Sequence, residues 1–120
     1  MATSFLQDMQ AVLAPLVTAG GAHYLVNTKK IPVLPYIVYM RIVNMPNVTL
    51  QGSSALQNTH VQIDIYSKDI ASGDAISKAL LPALEAGPWQ AVVERASRDM
   101  YDFEARLSRI SRDFSIWATN

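Results

Sequence analysis

His60-Val61-Gln62-Ile63-Asp64-Ile65-Tyr66, HVQIDIY, alternates polar and apolar residues without a break. A period of two marks a β-strand with one buried face. Val61, Ile63 and Ile65 are therefore expected in the core. His60, Gln62, Asp64 and Tyr66 fall on the other face, where a histidine and a carboxylate raise the question of an active site. At ~3.3 Å per residue, the Cα atoms of His60 and Asp64 stand about 13 Å apart, too far for a direct hydrogen bond. A dyad would need a partner from a neighbouring strand, such as Asp113 or Ser111, and nothing in the sequence selects that pairing. The strand reads as a wall facing solvent, a lumen or another subunit.

Outward from this strand, the flanks supply the rest of a sheet. PYIVYMRIV (residues 35–43) is rich in β-branched and aromatic residues and reads as a second strand. Neither of its faces is plainly polar, Tyr36, Val38, Met40 and Ile42 forming one and Ile37, Tyr39, Arg41 and Val43 the other. Residues 44–57, NMPNVTLQGSSALQ, have the composition of a flexible loop or a long hairpin arm. WQAVVERASRDM (residues 89–100) and RLSRISRDFSIW (residues 106–117) close the chain as two more strands, with YDFEA as their turn. Ile110, Phe114 and Ile116 share a core face with Arg112. Leu107 is out of phase, which places it on the outer face or calls for a β-bulge near Ser108-Arg109.

Two helices complete the pattern. Ser4 and Gln7 form a capping box ahead of Phe5, Leu6, Met9, Val12, Leu13 and Leu16, which predicts a helix from about Ser4 to Leu13, stopped by Pro15 and Gly20-Gly21. Between Lys68 and Glu85 the apolar period becomes helical, with Ile70, Ile76, Ala79, Leu80, Ala83 and Leu84 on one stripe and with Gly73 and Pro82 as weak points. With the short apolar AHYLVN (residues 22–27), two or three strands stand between the first helix and the second. The expected fold is α+β: one domain over residues 1–120, a mainly antiparallel sheet, and both helices packed on one face.

Composition narrows the function. Half of the 120 residues are apolar, 17% are charged against about 25% in an ordinary soluble domain, and the net charge is zero. Low charge on a small domain suggests that part of its surface is covered by other subunits, and a balanced charge argues against a dedicated nucleic-acid binder. There is no cysteine, so disulfides, thiolate nucleophiles and Cys-based zinc sites are excluded. The histidines, His23 and His60, lack a carboxylate cluster at ligand spacing, so no metal and no cofactor is expected. The glycines form no phosphate-binding motif. MATSFLQDMQ lacks the basic-then-apolar pattern of a signal peptide, and no apolar stretch approaches the ~20 residues that span a bilayer. Arg95, Arg98, Arg106, Arg109 and Arg112 are interleaved with Glu94, Asp99, Asp102, Glu104 and Asp113, which suits ion pairs better than a phosphate patch. Arg112, on the core-side phase, is expected at a sheet end or against a carboxylate of a neighbouring subunit. Trp89 and Trp117 bracket the last two strands as interface anchors or core-edge residues.

Several of these pieces, in this order, resemble the tail-completion and tail-terminator (head-tail joining) proteins of tailed bacteriophages. They are the proline-led strand Pro35–Tyr39, the L-x-G-x-S-x-L-Q run from Leu50 to Gln57, VQIDIYSKD leading into a helix, and the closing RDFSIW. Together they span about two thirds of the chain; YDFEA departs by lacking the usual glycine. The resemblance implies the element order α-β-β-β-α-β-β and a non-enzymatic structural protein, a homo-oligomeric ring of typically six subunits. Such a ring caps the head-proximal end of the tail tube, ends tube growth and offers a surface for head-tail joining. It implies as partners the tail tube protein and a head-tail connector or neck protein, with DNA passing unbound, and a place in the virion after assembly in the host cytoplasm. Leu50, Gln51, Leu56, Trp89, Arg112 and Trp117 are the candidate subunit or tube contacts. His60, Gln62, Asp64, Arg109 and Asp113 are the candidate lumen or solvent face. The alternatives are a connector or neck subunit, and, in another class, a small α+β ligand-binding domain or enzyme.

Overall fold

The computed structural model describes residues 4–28, 32–49 and 52–118, with side chains described outside 43–56. The elements are α1 (Phe5–Leu13), β1 (Ala22–Tyr24), β2 (Tyr36–Thr49), β3 (Gly52–Ser67), α2 (Ile70–Glu85), β4 (Ala91–Asp102) and β5 (Leu107–Ala118), with a 3-10 turn at Ala14–Val17. The strands form one five-stranded sheet in the order β1-β2-β3-β5-β4. β1 runs parallel to β2, and every other pairing is antiparallel. The α+β fold with two helices on one face is as expected from the sequence.

β3 is the centre of the sheet. Its residues pair with β2 on one side and with β5 on the other. Val61, Ile63 and Ile65 are buried against the helices, together with Ile37, Tyr39, Ile110, Phe114 and Ile116 from the flanking strands. Each fully buried aliphatic side chain of this kind contributes roughly 1.5–3 kcal/mol. β5 pairs with β3 without any shift of register from Leu107's neighbour Ser108 to Ala118. Leu107 therefore lies on the outer phase, and the bulge proposed near Ser108-Arg109 is not there. The irregularities fall instead at Ile42 in β2, between Pro46 and Val48 in the β2–β3 pairing, and at Arg95 in β4. The bulge at Ile42 shifts the register of β2, so Arg41 pairs with Val61 and Val43 with the adjacent His60.

Beyond Gln57, β3 has no partner in β5, and β2 and β3 continue as a two-stranded ribbon to Thr49 and Gly52. The segment around 44–57 is thus paired strand for most of its length. It stretches a domain whose extents are 51 × 30 × 23 Å.

Local chemistry fixes the helices. Ser4 caps α1 reciprocally with Gln7: the Gln7 amide donates to Ser4 Oγ at 3.2 Å and the Ser4 amide to Gln7 Oε1 at 2.9 Å. Asp69 caps α2 by accepting from the Ser72 amide at 2.8 Å, and the bonds from Ser72 hold its carboxyl below the usual carboxylate range. The apolar stripe of α2 is rotated from the one its sequence suggests. Gly73, Ser77, Leu80 and Leu84 are buried, whereas Ile70 and Ala79 are exposed. Gly73 explains the rotation, because a Cβ there would meet Ser67 Oγ at 2.7 Å and Ile110 Cδ1 at 3.2 Å. The glycine is a packing requirement that brings the helix onto β3 and β5, not a weak point. The helix also continues through Pro82 to Glu85. At Gly20 a Cβ would strike the carbonyls of Val33 and Pro35, so the loop into β2 depends on it.

Ile63 is fully buried. Ile63→Asp is expected to cost more than ~4 kcal/mol and to unfold the domain. Ile63→Val is expected to cost about 0.5–1.5 kcal/mol. Urea denaturation followed by circular dichroism checks both; an unchanged midpoint for Ile63→Asp contradicts the strand register.

Candidate functional site

The sheet face away from the helices is built in rows by the strand register. One row is Val38, Asp64, Ser111 and Arg98; the next are Met40, Gln62, Asp113, Ala96 and Tyr36, Tyr66, Arg109, Met100. His60 and Ser115 share a row with Val93, and Trp117 stands between Asn58 and Ala91. His60, Gln62, Asp64, Arg109 and Asp113 all fall on this phase of the register.

Among the described residues no helix packs on this face, yet Asp64 is only 1% exposed. Its neighbours supply the cover. Gln62 Nε2 donates to both Asp64 oxygens at 3.1 Å, and Arg109 Nη2 donates to Oδ2 at 2.8 Å. The Arg109 guanidinium also lies 5.8 Å from the centre of the Tyr66 ring, which stacks on Tyr36 at 4.8 Å. Burial raises both tyrosine hydroxyls above their ordinary value; at Tyr66, Arg109 opposes the rise. The partner of Asp64 is thus an arginine, and neither Asp113 nor Ser111 pairs with His60. The Asp64 carboxylate is held by one guanidinium and one amide group. Around it, Arg109 Nε, Ser111 Oγ, Asp113 Oδ1, Ser115 Oγ and Asn58 Oδ1 are buried with no protein partner among the described residues. Buried polar atoms are normally bonded. These point to a face completed by solvent or by another protein surface.

Two candidate contact residues are taken up within their own domain. Arg112 is 8% exposed on the helix side of the sheet. Its Nε donates to Glu94 Oε2 at 2.6 Å, and its Nη1 donates to the carbonyl and, at 3.2 Å, to the hydroxyl of Ser77 in α2. It lies 5.2 Å from the Phe114 ring centre. A charge on the core-side phase is tolerated because it bridges α2 to β4. Trp89 is buried; its Nε1 donates to the Leu84 carbonyl and its ring packs on Phe5 at 5.7 Å. Trp117 is half-buried on the open face. Leu50 and Gln51, and the side chain of Leu56, lie outside the described residues.

His23 sits on the edge strand β1 and bonds the Gly20 carbonyl at 2.8 Å. Among the described residues no group of His, Asp and Glu could hold a metal ion, and no helix is long and apolar enough to cross a membrane. A hollow of about 490 Å³ opens between the start of α2 and β4, lined by Lys68, Asp69, Ile70, Asp99, Met100, Tyr101 and Ser108. The Asp69 carboxylate there is occupied as a helix cap.

What remains are surfaces: an open polar sheet face, two sheet edges and a projecting ribbon. The sequence profile of the family described as tail completion protein gp17 matches residues 7–119, so the chain belongs to that family. It is a structural protein of a phage tail. A chain from the virion of a native gene transfer agent particle has the same fold, with 16% sequence identity, a TM-score of 0.68, and coverage of 96% of this chain and 91% of that one. A search of curated proteins found no match.

The geometry of the two sheet faces separates three substitutions. His60→Gln is expected to change stability by less than about 0.5 kcal/mol. Asp64→Asn keeps the fold and costs about 1–3 kcal/mol, because Arg109 loses its anionic partner. Arg112→Met costs a similar ~1–3 kcal/mol, as Glu94 is part-exposed and can hydrate. Equilibrium denaturation of the four proteins checks the order.

Proposed function

We propose that the protein caps the head-proximal end of a phage tail tube as a closed ring, ends tube polymerisation and offers the surface on which the head or neck docks. The observation that carries this reading is the family match, which runs over nearly the whole chain, 7–119, and so brings with it the fold and not one motif. The β2–β3 ribbon supports it, since it extends past the end of β5 to where a neighbouring subunit or the tube would stand. Closed rings use one surface patch against a different patch on the next copy, and a sheet with two unlike edges offers such a pair. The ring is proposed to be a hexamer in the virion. Its partners are the tail tube protein on one side and a connector or neck protein on the other.

The open face suits the inside or the solvent side of such a ring. Asp64 is matched by Arg109, and Asp113 and Arg98 stand in neighbouring rows, so positive charge is not concentrated there. Affinity for DNA depends on unbalanced positive charge, and a surface of this kind lets a duplex pass without holding it. Burial of Asp64 and the stacking of Tyr36 on Tyr66 keep that wall rigid.

Tube polymerisation tests the proposal. Purified protein added to growing tail tubes that lack it should halt elongation at one end, and negative-stain images should show a ring there with a central hole of duplex width. Unchanged tube growth with protein bound only to isolated connectors contradicts capping and favours a neck subunit. A stable monomer that binds a small molecule and ignores both particles contradicts the structural reading.

A further inference from the structure

The two long edges of the sheet match each other in height, charge and apolar character. On the β2 side, β1 covers only Ile37 to Tyr39. Leu25 then takes a left-handed conformation, φ 71°, and its amide makes one last bond to the Tyr39 carbonyl at 2.9 Å before the chain leaves the edge. From Met40 onward the outer edge of β2 has no strand partner among the described residues. On the far side, β4 is the other edge strand, exposed or half-exposed along its whole length.

The register places these free edges level with one another. Met40 aligns through Gln62 and Asp113 with Ala96, and Met45 aligns through Asn58 and Trp117 with Ala91. Residues 40–45 at one edge thus stand at the height of residues 91–96 at the other. β4 runs opposite in direction to β2. A second copy in the same orientation therefore presents its β2 antiparallel to β4 without any rise between copies. The side chains fit that juxtaposition. Arg41, exposed, is level with Glu94 through Val61 and Phe114. Ile42, 54% exposed at its bulge, lies beside the level of Val93, 48% exposed. Leu25 and Val26 add exposed apolar surface next to the same part of β2.

We propose that copies of this chain join head to tail by strand addition, β4 of one copy (residues 91–96) against β2 of the next (residues 40–45). This rests on the ring reading above and supplies its contact. Arg112 bonds Glu94 through Oε2, and in this pairing the part-exposed Glu94 carboxylate also meets Arg41 of the next copy, extending the pair into a chain of three charges. The bulges at Ile42 and Arg95, and the charges of Arg95, Arg98 and Asp99, restrict the pairing. Edges disrupted in this way resist indiscriminate strand addition, so the contact stays short and needs its matching partner.

The chain has no cysteine, which makes the test direct. The full-length double variant Ile42→Cys/Val93→Cys, incubated with tail tubes assembled without it and treated with a short thiol cross-linker, should give a covalent ladder ending in a closed oligomer. Neither single variant alone should give a ladder. Arg41→Glu should raise the protein concentration needed for half-maximal capping at least about tenfold, with an unchanged melting temperature. If rings are seen at tube ends while the double variant runs as a monomer on a denaturing gel, edge pairing is overturned and the ring reading stands. If the wild-type chain forms no closed particle, alone or on tubes, the ring reading fails and edge pairing falls with it.

Discussion

The structure depends on β3 being paired on both sides while presenting two chemically different faces. Its amides and carbonyls are used by β2 and β5 from Gln57 to Tyr66, so the strand cannot slip by one residue without turning Val61, Ile63 and Ile65 away from the helices. That register sets every other row of the sheet. It puts Arg112 beneath α2, Asp64 beside Arg109, and the free edges of β2 and β4 at one height. The core holds the domain together, but the register decides which surfaces it offers.

Two charged groups show how the fold handles polarity near that core. Arg112 is on the apolar phase and is retained by Glu94 and Ser77, which tie β4 and α2 to β5. Asp64 is on the open phase and is nonetheless buried, enclosed by Gln62, Arg109 and its neighbours. Removing the part-exposed partner, Glu94 or Arg109, leaves a buried charge with poor hydration, whereas the intact pair adds little beyond an apolar equivalent. Arg112 joins α2 and β4 to β5, and Arg109 joins β5 to β3 through Asp64.

Much of this was legible in the residues. The alternation from His60 to Tyr66, the Ser4–Gln7 capping box and the proline-led β2 each specify their element locally, and the element order followed. The open-face residues were legible too, because phase along a strand is a local property. Three features were not. The rotation of α2 follows from the contact of Gly73 with Ser67 and Ile110, a tertiary approach with no local signature. The bulges at Ile42 and Arg95 are properties of strand pairs, and a single strand's sequence does not show them. The Asp64–Arg109 and Arg112–Glu94 pairs join residues distant in the chain, so spacing alone could not select them. The turn after β4 is an intermediate case. It lacks a glycine, and Arg106 takes the left-handed conformation at φ 56°, while Asp102 Oδ1 accepts from the amides of Glu104 at 3.0 Å and Ala105 at 3.1 Å.

The claim beneath all of this is that the chain works through surfaces fitted to other protein molecules. Amide hydrogen exchange on the free protein and on the protein bound at tube ends tests it most directly. The account predicts new protection at exposed strand segments, above all within residues 40–45 and 91–96, with little change in the already protected β3. Protection that instead gathers around an interior hollow, and only when a small molecule is added, would contradict it.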